Sequence, residues 1–164
     1  TADPATAGFG STSPWLAPAP VRDAATGAGI SVEDEERDGA ILPYYRNLIA
    51  LRKQYPVISV GLYAPYALDH ERVFAYLREL PTEARAENRR PAQRQRMLVL
   101  TNFYGEPTEV EVPAEFVRSG RVLVCNYKNS AVDSTAADSA VSDSAETVTL
   151  SLRPYEALAL LIEG

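Results

Sequence analysis

Cysteine is almost absent from this sequence, and long apolar runs are absent altogether. Cys125 is the only cysteine among 164 residues, so an intrachain disulfide is excluded and nothing indicates an oxidising compartment. No stretch approaches the roughly 18 consecutive apolar residues of a membrane-spanning helix. The first residues, Thr1-Ala2-Asp3-Pro4, lack the basic and apolar regions of a secretion signal. These absences favour a cytoplasmic protein that has no membrane partner.

Positive charge is also scarce. The chain has 16 Lys and Arg against 22 Asp and Glu, for a formal net charge of −6. A nucleic-acid-binding protein needs a concentrated positive surface, so we expect no nucleic-acid partner. The apolar fraction of 46% is normal for a globular protein that buries a core. The length suits one ordinary domain and is too short for a barrel enzyme.

The N-terminal part of the chain lacks apolar periodicity. Residues 1–29 contain Pro4, Pro14, Pro18 and Pro20, each of which removes a backbone donor and disfavours helix before it. We therefore expect an extended loop that lies along another structure, and a packed unit that begins near residue 41.

One helix is predicted over residues 41–55. Its apolar residues recur at spacings of three and four and form a stripe on one side. We call this the helix stripe; its members are Ile41, Tyr44, Tyr45, Leu48, Leu51 and Tyr55. Asp38 is a plausible N-cap, and Pro56 ends the helix.

After Pro56 the apolar period changes to two, which is typical of strands. We predict strands over 73–80, 97–104, 108–112, 121–127, 147–152 and 157–162, and a less regular one within 57–68, where Gly61 and Pro65 interrupt the pattern. Two insertions, 81–96 and 129–146, are polar or small and are predicted to be mobile hairpin tips.

This order predicts a mainly β fold. We expect an antiparallel two-sheet Greek-key sandwich of six to eight strands, preceded by one α-helix and an extended N-terminal loop. Residues 1–56 and 57–164 are the expected domains. Periodicity alone predicts no chemistry.

Several short stretches, in order, resemble the end of one family of enzymes. They are Gly8-Phe9, Ser13-Pro14-Trp15-Leu16, Ile30-Ser31-Val32-Glu33, the helix segment 41–52 with its Leu48-Ile49-Ala50-Leu51-Arg52 ending, Val73-Phe74-Ala75-Tyr76-Leu77-Arg78, Leu98-Val99-Leu100-Thr101-Asn102-Phe103, Val122-Leu123-Val124-Cys125-Asn126-Tyr127 and Leu152-Arg153-Pro154-Tyr155-Glu156-Ala157. The chain thus resembles the C-terminal region of alpha-amylase-type glycoside hydrolases, in the alpha-glucosidase, oligo-1,6-glucosidase and dextran-glucosidase group.

The resemblance implies a parent enzyme with a (β/α)8 barrel that retains configuration, using an Asp nucleophile and a Glu acid/base. In this family those carboxylates precede the region matched by this chain. The resemblance therefore implies no catalytic, cofactor-binding or metal-binding residue in this chain. It does imply a partner, which is the missing catalytic barrel. Residues 1–56 would be the remnant of the barrel end and 57–164 the C-terminal β-domain. Without the barrel, the helix stripe is a candidate surface for self-association.

Some residues allow a second interpretation. The carboxylate cluster Glu33, Asp34, Glu35, Glu36 and Asp38 is interpreted as a solvated lead-in to the helix rather than a metal site. His70 beside Asp69 is interpreted as an exposed hairpin histidine rather than an acid/base pair. Cys125 is interpreted as a small core residue.

Several aromatic and basic residues also allow a second interpretation. Tyr63, Tyr66, Tyr104 and Tyr127 are candidates for a carbohydrate-stacking platform, although strand tyrosines more often cover the edge of a core. Trp15 is expected to pack on the barrel rather than on a sugar. The arginines of 81–96 are expected to be solvated rather than to hold an anion; they are Arg85, Arg89, Arg90, Arg94 and Arg96. A stabilising accessory domain is thus the leading hypothesis, a carbohydrate-binding module the alternative, and an independent enzyme the weakest.

Overall fold

The computed structural model describes residues 15, 36, 41–81, 94–133 and 145–164. The predicted loop at 1–29, the cap at Asp38 and most of both insertions lie outside these residues. The chain divides into two compact units, Thr1–Gln54 and Tyr55–Gly164. The assignment of the first part of the chain to a barrel remnant remains a prediction.

In the N-terminal unit the predicted helix is present. Helix α1 runs over Ile41–Gln54, with Arg52 and Lys53 in its last turn, where positive charge favours the helix dipole. None of its residues is buried. Ile41 and Tyr45 of the helix stripe are 68% and 59% exposed, whereas Tyr55 lies beyond the helix and is buried in the other unit.

The predicted strand within 57–68 is partly wrong. Its first half is a short helix, α2, over Pro56–Val60, and only Leu62–Tyr66 forms a strand, β1. Pro56 stands in the first turn of α2, where its missing N–H costs nothing. Pro65 is tolerated because β1 is an edge strand that pairs with β2 alone.

The other six predicted strands are confirmed, with ends that move by up to two residues. They are β2 Val73–Glu79, β3 Gln95–Asn102, β4 Thr108–Pro113, β5 Arg121–Cys125, β6 Thr147–Leu152 and β7 Ala157–Glu163. A third helix, α3, covers Ala114–Arg118 and was not predicted. It is only one turn long, so it shows no apolar period, and it is stabilised by burying Phe116 and Val117.

The strands form two antiparallel sheets, which confirms the predicted sandwich. One sheet has the order β1-β2-β3-β7-β5, and the other pairs β4 with β6. From β3 onward, each consecutive strand crosses from one sheet to the other. The register places Ala75 opposite Leu100 and Leu100 opposite Leu158 on the inner face of the larger sheet.

The core lies between the two sheets. The inner residues of the large sheet meet those of β4 and β6, and Phe116 of α3 and the segment 131–132 pack on the same cluster. Residues of this core that are fully shielded from solvent are Leu98, Leu100, Val112, Phe116, Leu150, Leu152 and Leu160.

Candidate functional site

An open cleft of about 310 Å³ lies at the end of the β1–β2 hairpin. Five aromatic side chains line it, together with polar groups of the hairpin turn, and we call it the aromatic cleft. The aromatic residues are Tyr63, Tyr66, Phe74, Phe103 and Tyr104. Ring faces beside a few polar groups suit a ligand that has both apolar and hydroxyl surfaces.

The hairpin turn is held in shape by His70. Its Nδ1 accepts hydrogen bonds from the backbone N–H groups of Arg72 (3.1 Å) and Val73 (3.0 Å). Because Nδ1 is the acceptor, Nε2 carries the proton and donates to the carbonyl oxygen of Glu109 at 2.8 Å. His70 therefore links the hairpin to β4 of the smaller sheet. It is half-buried rather than exposed as predicted, because both ring nitrogens are used within the fold.

Arg72 shapes the other wall of the cleft. Its guanidinium lies 5.9 Å from the centre of the Tyr104 ring and forms an ion pair with Glu106 at 2.5 Å. Asn102 sets the loop that carries Tyr104, accepting from the Tyr104 N–H and donating to the carbonyl oxygens of Glu106 and Arg153. The loop is thus fixed from a buried side chain.

The four tyrosines of the predicted platform do not form one surface. Tyr63, Tyr66 and Tyr104 line the aromatic cleft, but Tyr127 does not. The Tyr127 ring lies under Arg153, 4.0 Å from the guanidinium carbon, and its hydroxyl donates to the carbonyl oxygen of Pro154. Tyr66 is half-buried against the core. Burial and then the charge of Glu111 raise the pKa of Tyr66.

A second, more open cavity of about 520 Å³ lies on the far side of the same turn. Glu109 and Glu111 of β4 line it with Asp69 and His70. Both glutamates are exposed, so neither has the shielded setting that tunes a catalytic carboxyl.

The sequence did not reveal the most deeply buried charge among the described residues. The carboxylate of Glu156 is 0% exposed and accepts from Arg153 Nε (3.0 Å) and from the backbone N–H groups of Arg153 and Ala131 (2.9 Å each). Arg153 also donates to the carbonyl oxygen of Asn129. Burial alone would raise the pKa of Glu156, but hydrogen bonds from Arg153 and Ala131 outweigh it, so the pKa lies below its usual value. Glu156 thus ties 129–131 to the turn before β7.

Cys125 packs against the core as predicted and also faces this network. Its Sγ lies 3.6 Å from Glu156 Oε1. Burial, followed by the nearby Glu156, raises the pKa of the Cys125 thiol, although a hydrogen bond from the Tyr127 N–H opposes this. A raised pKa keeps the thiol protonated, so Cys125 lacks the character of a nucleophile.

The remaining candidates make surface contacts where the structure describes them. Glu36, of the carboxylate cluster, forms an exposed ion pair with Arg46. Arg94 and Arg96 pair with Glu79, and Arg96 also pairs with Glu115. Trp15 is 91% exposed. The other members of both clusters lie outside the described residues.

The described residues contain neither a metal-binding cluster nor a membrane-spanning helix. No group of three or more His, Cys, Asp or Glu side chains in this part of the chain has a metal-binding arrangement. Within the same residues, no helix is both long and apolar enough to cross a membrane.

Comparison with curated proteins identifies the family. The chain is 30% identical over 152 residues to an oligo-1,6-glucosidase from Halalkalibacterium halodurans, a match covering 92% of this chain and 22% of that enzyme. It is 30% identical over 125 residues to a palatinase from Erwinia rhapontici, covering 76% of this chain and 18% of that enzyme. The chain belongs to the alpha-amylase-type glycoside hydrolase family.

Solved structures of alpha-amylase-type enzymes share the fold. A trehalose-6-phosphate hydrolase from Bacillus licheniformis matches 94% of this chain with 24% identity and a TM-score of 0.58, and the match covers 23% of that protein. A trehalulose synthase matches 98% of this chain with 22% identity and a TM-score of 0.60. No protein-family profile matches the chain. The chain spans about a fifth of the length of the alpha-amylase-type relatives that it matches.

Proposed function

We propose that this chain is the non-catalytic accessory β-domain, with the last helix, of an alpha-glucosidase that hydrolyses alpha-glucosidic bonds in oligosaccharides. Its role is to stabilise the catalytic barrel. The observation that carries the proposal is the partial match: 92% of the chain corresponds to only 22% of an oligo-1,6-glucosidase. The catalytic residues then belong to the rest of such an enzyme, and neither a metal nor a cofactor is needed here.

Several of the described carboxylates form ion pairs with arginines, which supports a structural role. Glu156 is committed to Arg153, and Glu106, Glu115 and Glu163 each form an ion pair with an arginine. A retaining glycosidase needs two carboxyls about 5 Å apart across the scissile bond. Carboxylates already neutralised by arginines are poor candidates for such a pair.

The proposal is tested by the coding sequence upstream of Thr1 and by activity. We expect an open frame encoding a barrel, and we expect the longer protein to release p-nitrophenol from an alpha-glucoside while the 164-residue chain does not. Release by the purified chain, or an upstream frame without a barrel, would contradict the proposal. Scarce cysteine leads us to propose a cytoplasmic location for the longer protein, which fractionation of its host cells would check.

A carbohydrate-binding module is the second candidate, and the aromatic cleft favours it. Three of the four predicted tyrosines line this cleft, where sugar rings would stack on aromatic faces. Calorimetric titration with maltose and isomaltose oligomers tests it. Saturable binding that Tyr104→Ala abolishes, and that Tyr155→Ala outside the cleft preserves, would favour the module.

A further inference from the structure

The turn between β1 and β2 separates the two cavities of the sandwich unit. We call this turn, residues 67–72, the hairpin turn. Four residues at the turn line both the aromatic cleft and the more open cavity beside β4; they are Tyr66, Ala67, Leu68 and His70. A movement of the hairpin turn therefore changes the shape of both cavities at once.

The backbone of the hairpin turn is strained at one position. Ala67 has a φ of 49°, which lies in the left-handed region that residues other than glycine seldom adopt. Such a conformation persists where the surrounding contacts impose it. One of these contacts is the hydrogen bond from the His70 N–H to the Ala67 carbonyl oxygen at 3.0 Å. The others are made by the His70 ring, so the shape of the turn depends on this side chain.

The contacts of the His70 ring require its neutral form. Nδ1 accepts from the N–H groups of Arg72 and Val73, and Nε2 donates to the carbonyl oxygen of Glu109. A protonated imidazole carries an N–H on both nitrogens and has no acceptor. A proton on Nδ1 would therefore face two N–H donors, and both hydrogen bonds to Nδ1 must break. The ring must then move, and the turn that it holds is released.

The cavity beside β4 offers a charged ring a favourable place. It has a volume of about 520 Å³ and is lined by three carboxylates, those of Asp69, Glu109 and Glu111. Opposite charges attract an imidazolium at short range. The cavity thus has both the room and the charge to receive the protonated ring.

The other ionisable groups around the hairpin turn do not remove this preference. Glu71 adds a further negative charge, and the positive charge of Arg72 is paired with Glu106. Burial and then the charge of Glu111 raise the pKa of Tyr66, so its phenol stays uncharged where a histidine titrates. The charge around the ring is therefore mainly negative.

We propose that His70 is a pH-sensitive switch, which holds the hairpin turn against β4 while neutral and moves into the cavity beside β4 when protonated, changing the shape of the aromatic cleft. Histidine is the residue type whose charge ordinarily changes between about pH 5 and 8. The inference concerns the sandwich unit alone and does not depend on the proposed function. Its failure would leave the proposed function standing.

Nuclear magnetic resonance of the 164-residue chain tests the switch. The chain has one histidine, so the ring signals belong to His70. As the ring is titrated from about pH 8 to 5, we expect the hydrogen-exchange protection of the Arg72 and Val73 N–H groups to fall several-fold, with the same midpoint as the ring. The N–H of Leu100 in β3 is the internal control and should keep its protection, because the core does not depend on the ring.

Three outcomes would overturn the switch. The first is a ring that stays neutral until the whole chain unfolds. The second is a ring that titrates without any loss of protection at Arg72 and Val73. The third is a loss at Leu100 with the same midpoint, which would mean global unfolding rather than release of the turn.

The variant His70→Asn separates the titration from the contacts. An asparagine oxygen can still accept from the turn, but the side chain does not titrate. The protection of the Arg72 and Val73 N–H groups should therefore be independent of pH across the same range. A pH-dependent loss equal to that of the wild type would assign the effect to another group and refute the switch.

A second variant tests the cavity that receives the ring. The double variant Glu109→Gln, Glu111→Gln should lower the pH at which the turn is released, because the imidazolium loses two opposite charges while the Glu109 carbonyl oxygen remains. Glu146→Gln, at an exposed position that lines neither cavity, is the matched control and should leave the pH of release unchanged. The same pH of release in all three proteins would contradict the proposal.

Discussion

Among single residues, Glu156 is expected to contribute most to stability. The substitution Glu156→Gln keeps the shape of the side chain but leaves the Arg153 guanidinium without its carboxylate and places an amide among N–H donors. The Arg153 side chain is 40% exposed, so the cost comes mainly from hydrogen bonds lost at the buried carboxyl, about 1–3 kcal/mol. We expect the free energy of unfolding to fall by this order, measured by urea denaturation followed by circular dichroism.

Glu106→Gln is the matched control for that substitution. Glu106 also pairs with an arginine, but its side chain is 71% exposed. Surface ion pairs contribute about 0–1 kcal/mol, so the control should unfold nearly like the wild type. Equal losses of unfolding free energy in the two variants would contradict the prediction that burial makes the contribution of Glu156 larger.

The same carboxylate predicts a pH dependence. The pKa of Glu156 is lowered in the folded chain, so the unfolded chain binds the proton more tightly. Its contribution to stability is complete above the usual glutamate pKa of about 4.3 and is lost as pH falls through the lower folded-state value. We expect the unfolding free energy of the wild type to fall more steeply below pH 4.3 than that of Glu156→Gln, measured as urea midpoints across pH. Parallel curves would contradict this.

His70 is the second residue whose contacts predict a measurable effect. His70→Ala removes the acceptor for two backbone N–H groups and the donor to Glu109. Leaving such partly buried groups unpaired costs about 1–3 kcal/mol, so the Tm of the variant should be lower than that of the wild type. His70→Asn should restore part of the loss, because an asparagine oxygen can accept from the same turn. Asp69 is an exposed neighbour, so Asp69→Asn should have little effect on stability. A loss of stability as large as that of His70→Ala would show that any change in this turn is destabilising, and would contradict a specific role for His70.

Neither residue's role could be predicted from sequence. Arg153 and Glu156 stand three apart in a turn that carries no periodic signal, and the burial of Glu156 depends on the segment at 130–131, which reaches it from 25 residues away. His70 was interpreted from its neighbour Asp69, but its partner is Glu109, 39 residues later. Contacts formed between distant segments are determined by the fold, not by local pattern.

At the scale of elements, Gly61 ends α2 and permits its close turn. A Cβ added at Gly61 would lie 2.4 Å from the Val57 carbonyl oxygen, the acceptor for both the Gly61 N–H and Arg78 Nε. Gly61→Ala must therefore displace the end of α2, and overpacking of this kind costs about 1–3 kcal/mol. We expect a lower Tm by calorimetry. Ser59→Ala, exposed in the same helix, is the control, and an equal shift there would contradict the steric argument.

The elements that show an apolar repeat were predicted correctly, and those too short to show one were not. Strand β6 was predicted to the residue because Val148, Leu150 and Leu152 alternate with polar neighbours and one face meets the core. Helices α2 and α3 each have five residues, too few to complete an apolar repeat. Their stability comes from packing on the sheets, so a one-dimensional pattern cannot reveal them.

At the scale of the whole molecule, the order of short motifs predicted the family, whereas the candidate site came only partly from sequence. The aromatic residues of β1 and β2 were visible as a class, but which of them share a surface depends on strand register. Register places Tyr76 on the outer face with Val99, and it places Tyr66 beside Ala75 against the core. Alternate positions along a strand face opposite sides of the sheet. Register therefore decides that Tyr76 faces outward, whereas Tyr66 faces the core.

The helix stripe leads to the last prediction. Ile41 and Tyr45 are exposed on α1, and burying each in a contact would contribute about 1.5–3 kcal/mol. We therefore expect the 164-residue chain to self-associate as its concentration rises, with the double variant Ile41→Ser, Tyr45→Ser remaining monomeric in sedimentation velocity. Lys53→Ser, on the same helix and outside the stripe, should associate like the wild type. A wild-type chain that stays monomeric at high concentration would contradict association through the helix stripe.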